Sequence, residues 1–593
     1  MLGIIASLLL LFLVTDPSQA SIHSGPSAIN DLKHSPDFII VGGGTAGSVV
    51  ANRLSENPNV TVLVLEAGIS NVGILNIEVP FYCVQASPQT SVDWNFTTVP
   101  QPALNNRSVA YPRGFVLGGS SSTNYMFYTR GTRDDYDRIA NVTEDEGWSW
   151  DHLFPYMLKS ERWTAPSDGH NTTGQFNPLV HGSSGINSVA LSGFPSDIDS
   201  RVIAATKEVT GMPFNLDMNS GNPLGIGWKQ DTAANGLRSS AATSYLAPNF
   251  INRPNLHVVL NTRVTRVLSH KDASSFTTVE YITAQGNRST ITAGKEVILS
   301  AGAVGTPHIL LHSGIGDAHA LSKLGIRPVH NLPSVGQNLT DHPALHTLWL
   351  VNSTNTYETL KRNATVAVAA LAEWTQMKQG PLVTGPGSHI GWARVSGNDS
   401  TIFDNTADSS AGPTSPHFEL IFAPGSLGPP PPTGNLMGCA SIVVSPSSRG
   451  SITLNSSDPL VPPVIDPALL KTDYDMAVMR ASLRMATRFA AAPAFSDYVI
   501  AQQGYSPTAT DAELDTFIRD QAGSIFHPVG TAAMTKRGAH YGVVDPDLLV
   551  KGLEALRVVD LSVLPFVPAA HTQAAAYFIG ERASDLIKAQ HSL

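Results

Sequence analysis

Residues 38–68, FIIVGGGTAGSVVANRLSENPNVTVLVLEAG, contain the pattern that decides the fold of this chain. The apolar run Phe38–Val41 predicts a short buried strand. Three glycines then follow with the spacing G-x-G-x-x-G, at Gly42, Gly44 and Gly47. Such a turn lets the backbone approach a pyrophosphate and opens into a helix, expected here over residues 48–55. The positive N-terminal end of that helix would face the phosphates.

An acidic residue at a fixed spacing strengthens this interpretation. The second apolar run, Val60–Leu65, predicts a neighbouring strand, and Glu66 follows Gly47 by nineteen residues. This is about where a carboxylate accepts hydrogen bonds from the ribose of a bound dinucleotide. An ordinary glycine-rich turn would leave the position of Glu66 unexplained, so the stretch predicts a dinucleotide site.

The composition indicates a large globular protein and excludes several classes of function. The chain has 593 residues, of which 42% are hydrophobic and 14% charged, enough for one large composite enzyme or for two to three domains with a sizeable core. A net charge of −10 argues against nucleic acid or an anionic membrane as a partner. The two cysteines, Cys83 and Cys439, exclude a disulfide scaffold, and whether they pair is open. No metal-binding motif is present, so we predict no metal site.

The N-terminus and the glycosylation motifs predict an exported protein. Residues 1–20 resemble a signal peptide with a small-residue cleavage site, and the apolar run from Leu2 to Val14 is too short to cross a membrane. The density of N-x-S/T motifs suits a secreted glycoprotein, which we expect to be monomeric. The asparagines of the eleven motifs are Asn59, Asn95, Asn106, Asn141, Asn171, Asn287, Asn338, Asn352, Asn363, Asn398 and Asn455.

Further strand-like runs predict that the dinucleotide domain is discontinuous. They occur at Leu256–Leu260, Arg263–Leu268 and Glu296–Leu299, and a last run, Leu556–Val559, ends at Asp560. We therefore assign residues 36–149, 233–344 and 539–593 to this domain, and residues 150–232 and 345–538 to a second, substrate-binding domain. The stretch Ala423–Gly434, APGSLGPPPPTG, predicts a polyproline-like loop. Helical spacing over Ala574–Ala589 predicts a closing helix.

Two histidine segments near the C-terminus are the best candidates for chemistry. They are IFHPVGT at 525–531 and PAAHTQ at 568–573. A single histidine is usually a surface or core residue. These two lie in loop-like turns that flank the strand end at Asp560, where a dinucleotide fold opens its crevice. We therefore predict that His527 and His571 are catalytic.

Three motifs together resemble the glucose–methanol–choline (GMC) flavoprotein oxidoreductases, from about residue 36 to the C-terminus. They are GGGTAG at 42–47 with EAG at 66–68, PRGFVLGGSSSTNYM at 112–126, and GAVGTPHILLHSGIG at 302–316. The pairing of IFHPVGT with AHTQ resembles the active-site couple of that family. The resemblance implies a Rossmann-like, α/β FAD-binding domain in several pieces, and an α+β substrate-binding domain of antiparallel sheet and helices.

The resemblance also implies the roles of particular residues. His527 matches the catalytic base, which accepts the proton of an alcohol while the flavin accepts a hydride, and His571 matches the second active-site position. FAD is expected to contact the pyrophosphate turn, the acidic segment after the second strand, the signature loop over the flavin, one residue near the adenine, and the C-terminal segment. These residues are Gly42, Gly44, Thr45, Ala46, Gly47, Glu66, Ala67, Ser120, Asn124, Val264, Asp560, Thr572 and Gln573.

Within the family the chain looks most similar to fungal aryl-alcohol oxidases and pyranose dehydrogenases, with informative departures. Thr123 stands where pyranose dehydrogenases carry the histidine that bonds to FAD, which implies non-covalent FAD here. Tyr125 and Phe526 match aromatic positions that contact substrate in aryl-alcohol oxidases. The aromatic gate loop of those enzymes is replaced by Ala423–Gly434, which contains no aromatic residue. A substrate bulkier than a simple benzylic alcohol is therefore plausible.

Three functions stay open at this point. The first is a secreted FAD-dependent enzyme that oxidises a primary aryl or allylic alcohol to the aldehyde and is reoxidised by oxygen or a quinone. The second is a sugar (pyranose) dehydrogenase that uses quinones, or a tailoring dehydrogenase of secondary metabolism. The third is a hydroxynitrile-lyase-like flavoprotein, in which FAD is structural. Retention of both His527 and His571 argues against an inert binding protein but not against a lyase, which also needs a base.

Overall fold

A computed structural model of the protein describes residues 22–25, 29, 32, 34–269 and 274–593. The predicted signal peptide lies outside these residues. The N-terminal motif forms part of a six-stranded parallel sheet, whose first and last strands come from opposite ends of the chain. In spatial order its strands are Ile22–His23, Leu256–Val259, Val62–Leu65, Phe38–Val41, Glu296–Leu299 and Leu556–Val558.

The strand–turn–helix–strand unit forms as the sequence predicts, with shifted boundaries. Phe38–Val41 and Val62–Leu65 are fully buried parallel neighbours, and Gly42 takes φ +100°, a conformation that favours glycine. The helix begins at Thr45 and ends at Leu54, so its first turn lies three residues earlier than the sequence predicts. Gly44 is the residue before the helix, which brings the free amide groups of the first turn directly behind the glycines.

A second, antiparallel sheet forms the framework of the other domain. It packs against the 18-residue helix Asp473–Ala490, with which it shares a separate hydrophobic core. Its strands, in spatial order, are Val499–Gln502, Pro343–Val351, Asn435–Val443, Phe418–Ala423, His389–Ala393 and Gly225–Trp228, and Gly523–Ser524 also pairs with Pro343–Val351. The fold therefore combines a Rossmann-like parallel sheet with a second domain of antiparallel sheet and helices, as the sequence predicts.

Helices and smaller sheets complete the two layers. The other helices of ten or more residues are Arg133–Thr143, Trp150–Ser160, Gly302–His312, Ala364–Met377, Asp511–Gln521 and Gln573–His591. The three-stranded sheets are Glu161–Trp163 with Asn187–Leu191 and Gln230–Asp231, Gln337–Leu339 with Gly450–Thr453 and Val464–Asp466, and Thr262–Leu268 with Thr278–Thr283 and Arg288–Thr292. None of the helices in the described part of the chain is both long and apolar enough to cross a bilayer.

The closing helix Gln573–His591 extends slightly beyond the predicted range and packs on the motif helix Thr45–Leu54. The approach is close because position 580 is glycine: a Cβ there would lie 2.8 Å from the Cβ of Val49. Arg53 and Glu581 join the two helices through a bidentate ion pair with N–O distances of 2.7 and 2.8 Å. The C-terminal helix therefore fixes the position of the motif helix, which follows directly after the dinucleotide turn.

Some elements lie elsewhere than the sequence suggests. The run predicted at Arg263–Leu268 is a strand, Thr262–Leu268, but it belongs to a separate antiparallel sheet and not to the parallel one. The helix Trp150–Ser160, assigned to the second domain, buries its apolar face in the core of the parallel sheet. The proline-rich stretch is an irregular connection between two antiparallel strands. Cys83 and Cys439 are both buried and unpaired with each other.

Candidate active site

A deep cleft opens at the carboxyl ends of the parallel strands, where ligands of such folds bind. It encloses about 1150 Å³ of space between protein atoms, its open mouth included. Nine of the predicted FAD residues line it: Gly42, Gly44, Thr45, Ala46, Glu66, Ala67, Ser120, Val264 and Asp560. Pro528, the neighbour of His527, lies at its wall. The cleft therefore joins the glycine turn to one of the two histidine segments.

The glycine turn has no room for larger residues. A Cβ at position 47 would lie 2.1 Å from the carbonyl oxygen of Gly42, and a Cβ at position 42 would lie 2.6 Å from the carbonyl oxygen of Ser300. Gly47 itself lies beneath the turn and is absent from the cleft lining. Its role is the close contact between helix and strand, which the motif predicts.

Two helices begin at this cleft. The residues before Thr45–Leu54 and Gly302–His312 provide no side-chain cap, so the first-turn amides of both helices are available to a ligand, except that of Gly302, which Asp560 occupies. The partial positive charges at two helix N-termini suit a pyrophosphate. Asp560 fixes the second helix, because its Oδ2 accepts hydrogen bonds from the Gly302 amide at 2.9 Å and the Thr306 hydroxyl at 2.6 Å.

Glu66 lies in the cleft, as the motif predicts, and is almost fully buried. Its Oε2 accepts a hydrogen bond from the Gly43 amide at 2.8 Å, and its Oε1 accepts one from the Gly68 amide at 2.7 Å. Burial raises the pKa of this carboxyl to about 7, although the amide hydrogen bonds oppose the shift. Each carboxylate oxygen retains a lone pair for a ribose hydroxyl.

Three of the predicted FAD residues, Asn124, Thr572 and Gln573, do not line the cleft, and Asn124 and Gln573 form a hydrogen-bond network beside it. The Asn124 amide donates to Oε1 of Gln573 at 2.9 Å, and Gln573 donates to the carbonyl of Phe127 at 2.8 Å. Thr572 is the residue before the closing helix and is buried. The sequence analysis did not identify Arg238, whose guanidinium donates to Oδ1 of Asn124 at 2.9 Å. The network ties the signature loop to the start of the closing helix, and a direct contact of these residues with FAD stays a prediction.

The two predicted catalytic histidines lie together. The ring centroids of His527 and His571 are 4.8 Å apart and the rings are nearly perpendicular, with both side chains buried. His527 and His571 are 44 residues apart in the chain, so only the fold brings the pair together. Burial and the neighbouring imidazoles and guanidinium lower the pKa of His527 well below its usual value. His527 is therefore neutral at physiological pH and can accept a proton.

His571 is held by a carboxylate that the sequence analysis missed. Its Nε2 lies 2.8 Å from Oε1 of Glu419, a fully buried residue on the strand Phe418–Ala423. The ring of Phe127 stacks on the other side of the imidazole, with centroids 4.5 Å apart. Because Glu419 lies in an apolar strand far from both histidine segments, no spacing in the sequence indicates its role.

Tyr125 and Phe526, the predicted substrate contacts, have different surroundings. Tyr125 packs against an apolar cluster that includes Phe127. Phe526 takes φ +68°, unusual for a bulky residue, and its carbonyl accepts a hydrogen bond from the Arg113 guanidinium. Arg113 also lines the cleft, so this contact joins the cofactor side of the site to the turn that carries His527. Such strain at a non-glycine residue is typical of functional turns.

Other cleft residues escaped the sequence analysis because they carry no spacing signal of their own. They are Trp94, Phe96, Arg263 and His308, and they line the cleft around Val264, the residue expected near the adenine. Within the described ranges no group of three or more His, Cys, Asp and Glu side chains is placed to hold a metal ion. The site therefore consists of a dinucleotide cleft with a buried histidine pair.

Comparison with known proteins agrees with this arrangement. Family models described as GMC oxidoreductase match residues 36–344 and 446–580. The chain belongs to the GMC oxidoreductases. It is 43% identical to the dehydrogenase eriK of Hericium erinaceus over 94% of each chain, and 40% identical to pyranose dehydrogenase 3 of Leucoagaricus meleagris over 93% of this chain and 92% of that one. A solved fungal aryl-alcohol oxidase superposes with a TM-score of 0.82 at 27% identity, covering 95% of this chain and 100% of that one.

As a GMC oxidoreductase, the protein is an FAD-dependent enzyme, and the cleft fits that cofactor. The Ser300 hydroxyl is buried at the cleft wall and has no hydrogen-bond partner among the described residues, and a Cβ added to Gly302 would meet none of their atoms within 4 Å. Together with the remaining free amides at the two helix starts, these features leave both space and unused donors for a diphosphate. Gly44 and Thr45 would hold the pyrophosphate, and Glu66 the adenosine ribose.

The pKa of Glu66 predicts how the FAD affinity of this GMC oxidoreductase depends on pH. Ribose hydroxyls donate to the ionised carboxylate, which is the minor form below pH 7. The affinity should therefore be highest above pH 7 and fall by up to about tenfold per pH unit below it. Fluorescence titration of the apoprotein with FAD measures this. Glu66→Gln should bind FAD more weakly and with a flatter pH profile; an equal slope in that variant would contradict the assignment.

Proposed function

We propose that the protein oxidises a primary aryl or allylic alcohol to the aldehyde, with His527 as the base. The observation that carries this proposal is the buried, adjacent pair His527 and His571 beside the cofactor cleft. Oxidation of an alcohol requires removal of a proton from oxygen and a hydride from carbon. Bound FAD supplies the hydride acceptor.

His527 has the properties of a general base. Its lowered pKa keeps the imidazole neutral at physiological pH, so a ring nitrogen offers a lone pair to the hydroxyl proton. The main-chain amide of His527 donates to Oδ1 of Asp341 at 2.7 Å, which fixes the turn that presents the ring. A buried site without bulk water keeps the proton on the imidazole until the aldehyde has formed.

His571 orients the substrate hydroxyl. Glu419 accepts from Nε2 of His571, so this nitrogen carries the hydrogen in the neutral ring and Nδ1 is the acceptor. Stacking on Phe127 limits rotation of the ring. Glu419 also supplies a negative charge that stabilises a protonated His571. In its protonated form His571 can donate from Nδ1 to the substrate oxygen and so hold it next to His527.

The surroundings of the histidines favour an aryl or allylic group on the substrate. The cluster that includes Phe127 is apolar, and its partly buried members at the edge are Tyr125 and Ile525, which precedes the His527 turn. The fully packed members are Phe127, Met218, Ala344, Ile390, Trp392, Ile421, Ala440, Ile442, Val444 and Ala569. A planar apolar group packs against such side chains, whereas sugar hydroxyls would find few partners.

A sugar dehydrogenase is the second candidate, and sequence identity to known dehydrogenases supports it. The 40% identity to a pyranose dehydrogenase extends over almost the whole chain. The 43% identity to a dehydrogenase of Hericium erinaceus supports a tailoring dehydrogenase equally. A hydroxynitrile-lyase-like flavoprotein is the third candidate, because a lyase also needs a base.

A substrate panel separates these candidates. The purified protein is assayed with benzylic and allylic alcohols and with monosaccharides, each with oxygen or a benzoquinone as acceptor. Two sugar hydroxyls left unpaired cost about 1–3 kcal/mol each, so kcat/KM should be at least about tenfold higher for aryl alcohols. Preferred oxidation of monosaccharides would establish the sugar dehydrogenase instead, and turnover with quinone but not oxygen would define a dehydrogenase. Cleavage of a cyanohydrin without any redox turnover would establish the lyase.

We also infer that FAD is bound without a covalent link. Thr123, at the position of the FAD-linked histidine in pyranose dehydrogenases, is a buried hydroxyl residue at the end of a short helix, Ser120–Thr123. A hydroxyl is a poorer nucleophile than an imidazole. Acid precipitation of the yellow holoenzyme should therefore release all of its FAD into the supernatant. Yellow colour retained in the pellet would contradict this inference.

We also propose that the protein is secreted as a monomeric glycoprotein. Nine of the eleven motif asparagines are exposed. Asn338 is the half-buried exception, and its amide donates to the carbonyl of Pro565 at 3.0 Å. The remaining motif asparagine is Asn398, whose side chain is not among those that the structure describes. These exposed acceptors support glycosylation, and endoglycosidase treatment of the secreted protein with mass measurement tests it.

A further inference from the structure

We propose that His342 is a positioning residue that fixes the hydrogen of His527 on Nδ1, so that Nε2 is the proton acceptor of the reaction. This inference rests on the proposed function of His527. The main evidence is a contact between the two rings, in which Nδ1 of His342 lies 3.0 Å from Nδ1 of His527. The rings are nearly perpendicular, with centroids 5.2 Å apart.

Only one of these two nitrogens can carry a hydrogen. At 3.0 Å the contact is a hydrogen bond, which needs one donor and one acceptor. Two arrangements are possible for neutral rings. Either His527 donates from Nδ1 and keeps a lone pair on Nε2, or His342 donates and His527 carries its hydrogen on Nε2. The second arrangement would leave His527 without a free base nitrogen.

The role of His527 as the base selects the first arrangement. His342 is completely buried, and its Nε2 has no hydrogen-bond partner among the described residues. Its ring is hydrogen-bonded to His527 through Nδ1. That bond leaves a free base nitrogen on His527 only if Nδ1 of His342 is the acceptor.

His342 also remains neutral throughout the relevant pH range. Burial, with the nearby His571, lowers the pKa of His342 to about 3. Once His527 becomes an imidazolium, its Nδ1 hydrogen still has a neutral acceptor, which stabilises the charged ring.

Hydrogen bonds from the backbone amides of both histidines to the Asp341 carboxylate fix their relative position. Oδ1 of Asp341 accepts hydrogen bonds from the amide of His342 at 2.8 Å and from the amide of His527 at 2.7 Å. Its Oδ2 accepts the Ser524 hydroxyl at 2.6 Å. One carboxylate thus fixes the start of the strand Pro343–Val351 and the turn of His527 together. The imidazole contact is built into the fold and does not depend on a loop rearrangement.

The tautomer can be observed directly in the wild-type holoenzyme. Selective ¹⁵N-histidine labelling with NMR distinguishes protonated from unprotonated ring nitrogens, and His527→Ala identifies the signals of His527. We expect a protonated Nδ1 and an unprotonated Nε2. A protonated Nε2 on the neutral ring would overturn the proposal. This readout does not require turnover, so it stands even if no alcohol reduces the flavin and the proposed function fails.

Two substitutions test the consequence for the reaction. His342→Leu removes the acceptor, and the rate of flavin reduction at saturating alcohol should fall by about 10²–10⁴-fold, the range expected when a base has the wrong tautomer. His342→Asp offers only acceptor oxygens and should recover at least tenfold over the leucine variant. Both should retain FAD. Equal rates in the leucine variant and the wild type would overturn the proposal, as would FAD-loaded leucine and aspartate variants that are equally slow.

Discussion

His527→Ala should lose alcohol oxidation by about 10²–10⁴-fold while it retains FAD and the native fold, because removal of a positioned general base typically costs this much. His527 accepts no hydrogen bond from the cofactor cleft residues, and its ring contacts are with His342 and His571. The loss should therefore appear in the rate of flavin reduction at saturating substrate. Stopped-flow absorbance of the flavin measures that rate, and the absorbance ratio of protein to flavin measures the FAD content.

His540→Ala is the matched control for this variant. His540 is an exposed residue thirteen positions further along the chain and belongs to neither the cleft nor the histidine cluster. It should leave the rate unchanged. If His527→Ala were to reduce its flavin at a near-normal rate, the base would be a different group, and His571 with Glu419 would be the next candidate.

Gly47→Ala should abolish FAD binding and lower the stability of the fold. The added methyl group would lie 2.1 Å from the carbonyl oxygen of Gly42 and 3.0 Å from the Cβ of Ser300. Since the first contact is with backbone, the strand and helix would have to move apart, and overpacking of this kind costs about 1–3 kcal/mol or more. Thermal unfolding and the yield of flavin-loaded protein measure the two effects.

Gly428→Ala is the control for the glycine prediction. It lies in the exposed proline-rich connection, and an added Cβ would meet only the Ser426 hydroxyl at 3.5 Å, an ordinary contact. This variant should bind FAD and unfold as the wild type does. Full FAD loading in Gly47→Ala would show that the helix does not need its close approach to the turn.

The sequence predicts the cofactor half of the molecule well because its geometry is local. Strand, turn and helix at residues 38–54 follow from side-chain size and backbone conformation within a short stretch, and Glu66 lies one strand further on. Only the helix start is shifted, to Thr45, because Gly44 already serves as the residue before the helix. Similarly, the closing helix follows from its own periodicity.

The catalytic half is harder to predict because it is assembled from distant segments. His527 and His571 could be selected through the resemblance to a family, but Glu419 and His342 could not. Glu419 is one polar residue in a buried strand, and His342 precedes another strand, 185 residues before its partner His527. The prediction that the strand Thr262–Leu268 joins the parallel sheet is wrong for a related reason, because a strand pattern does not specify which sheet the strand joins.

The most direct test of the central claim is anaerobic mixing of the purified yellow protein with a benzylic alcohol while the flavin absorbance is followed. If the protein oxidises such alcohols with His527 as base, the absorbance should bleach within seconds in the wild type and at least about 100-fold more slowly in His527→Ala. Recovery on addition of air or of a quinone then identifies the acceptor. A flavin that stays oxidised with benzylic and allylic alcohols but bleaches with a monosaccharide would contradict the account.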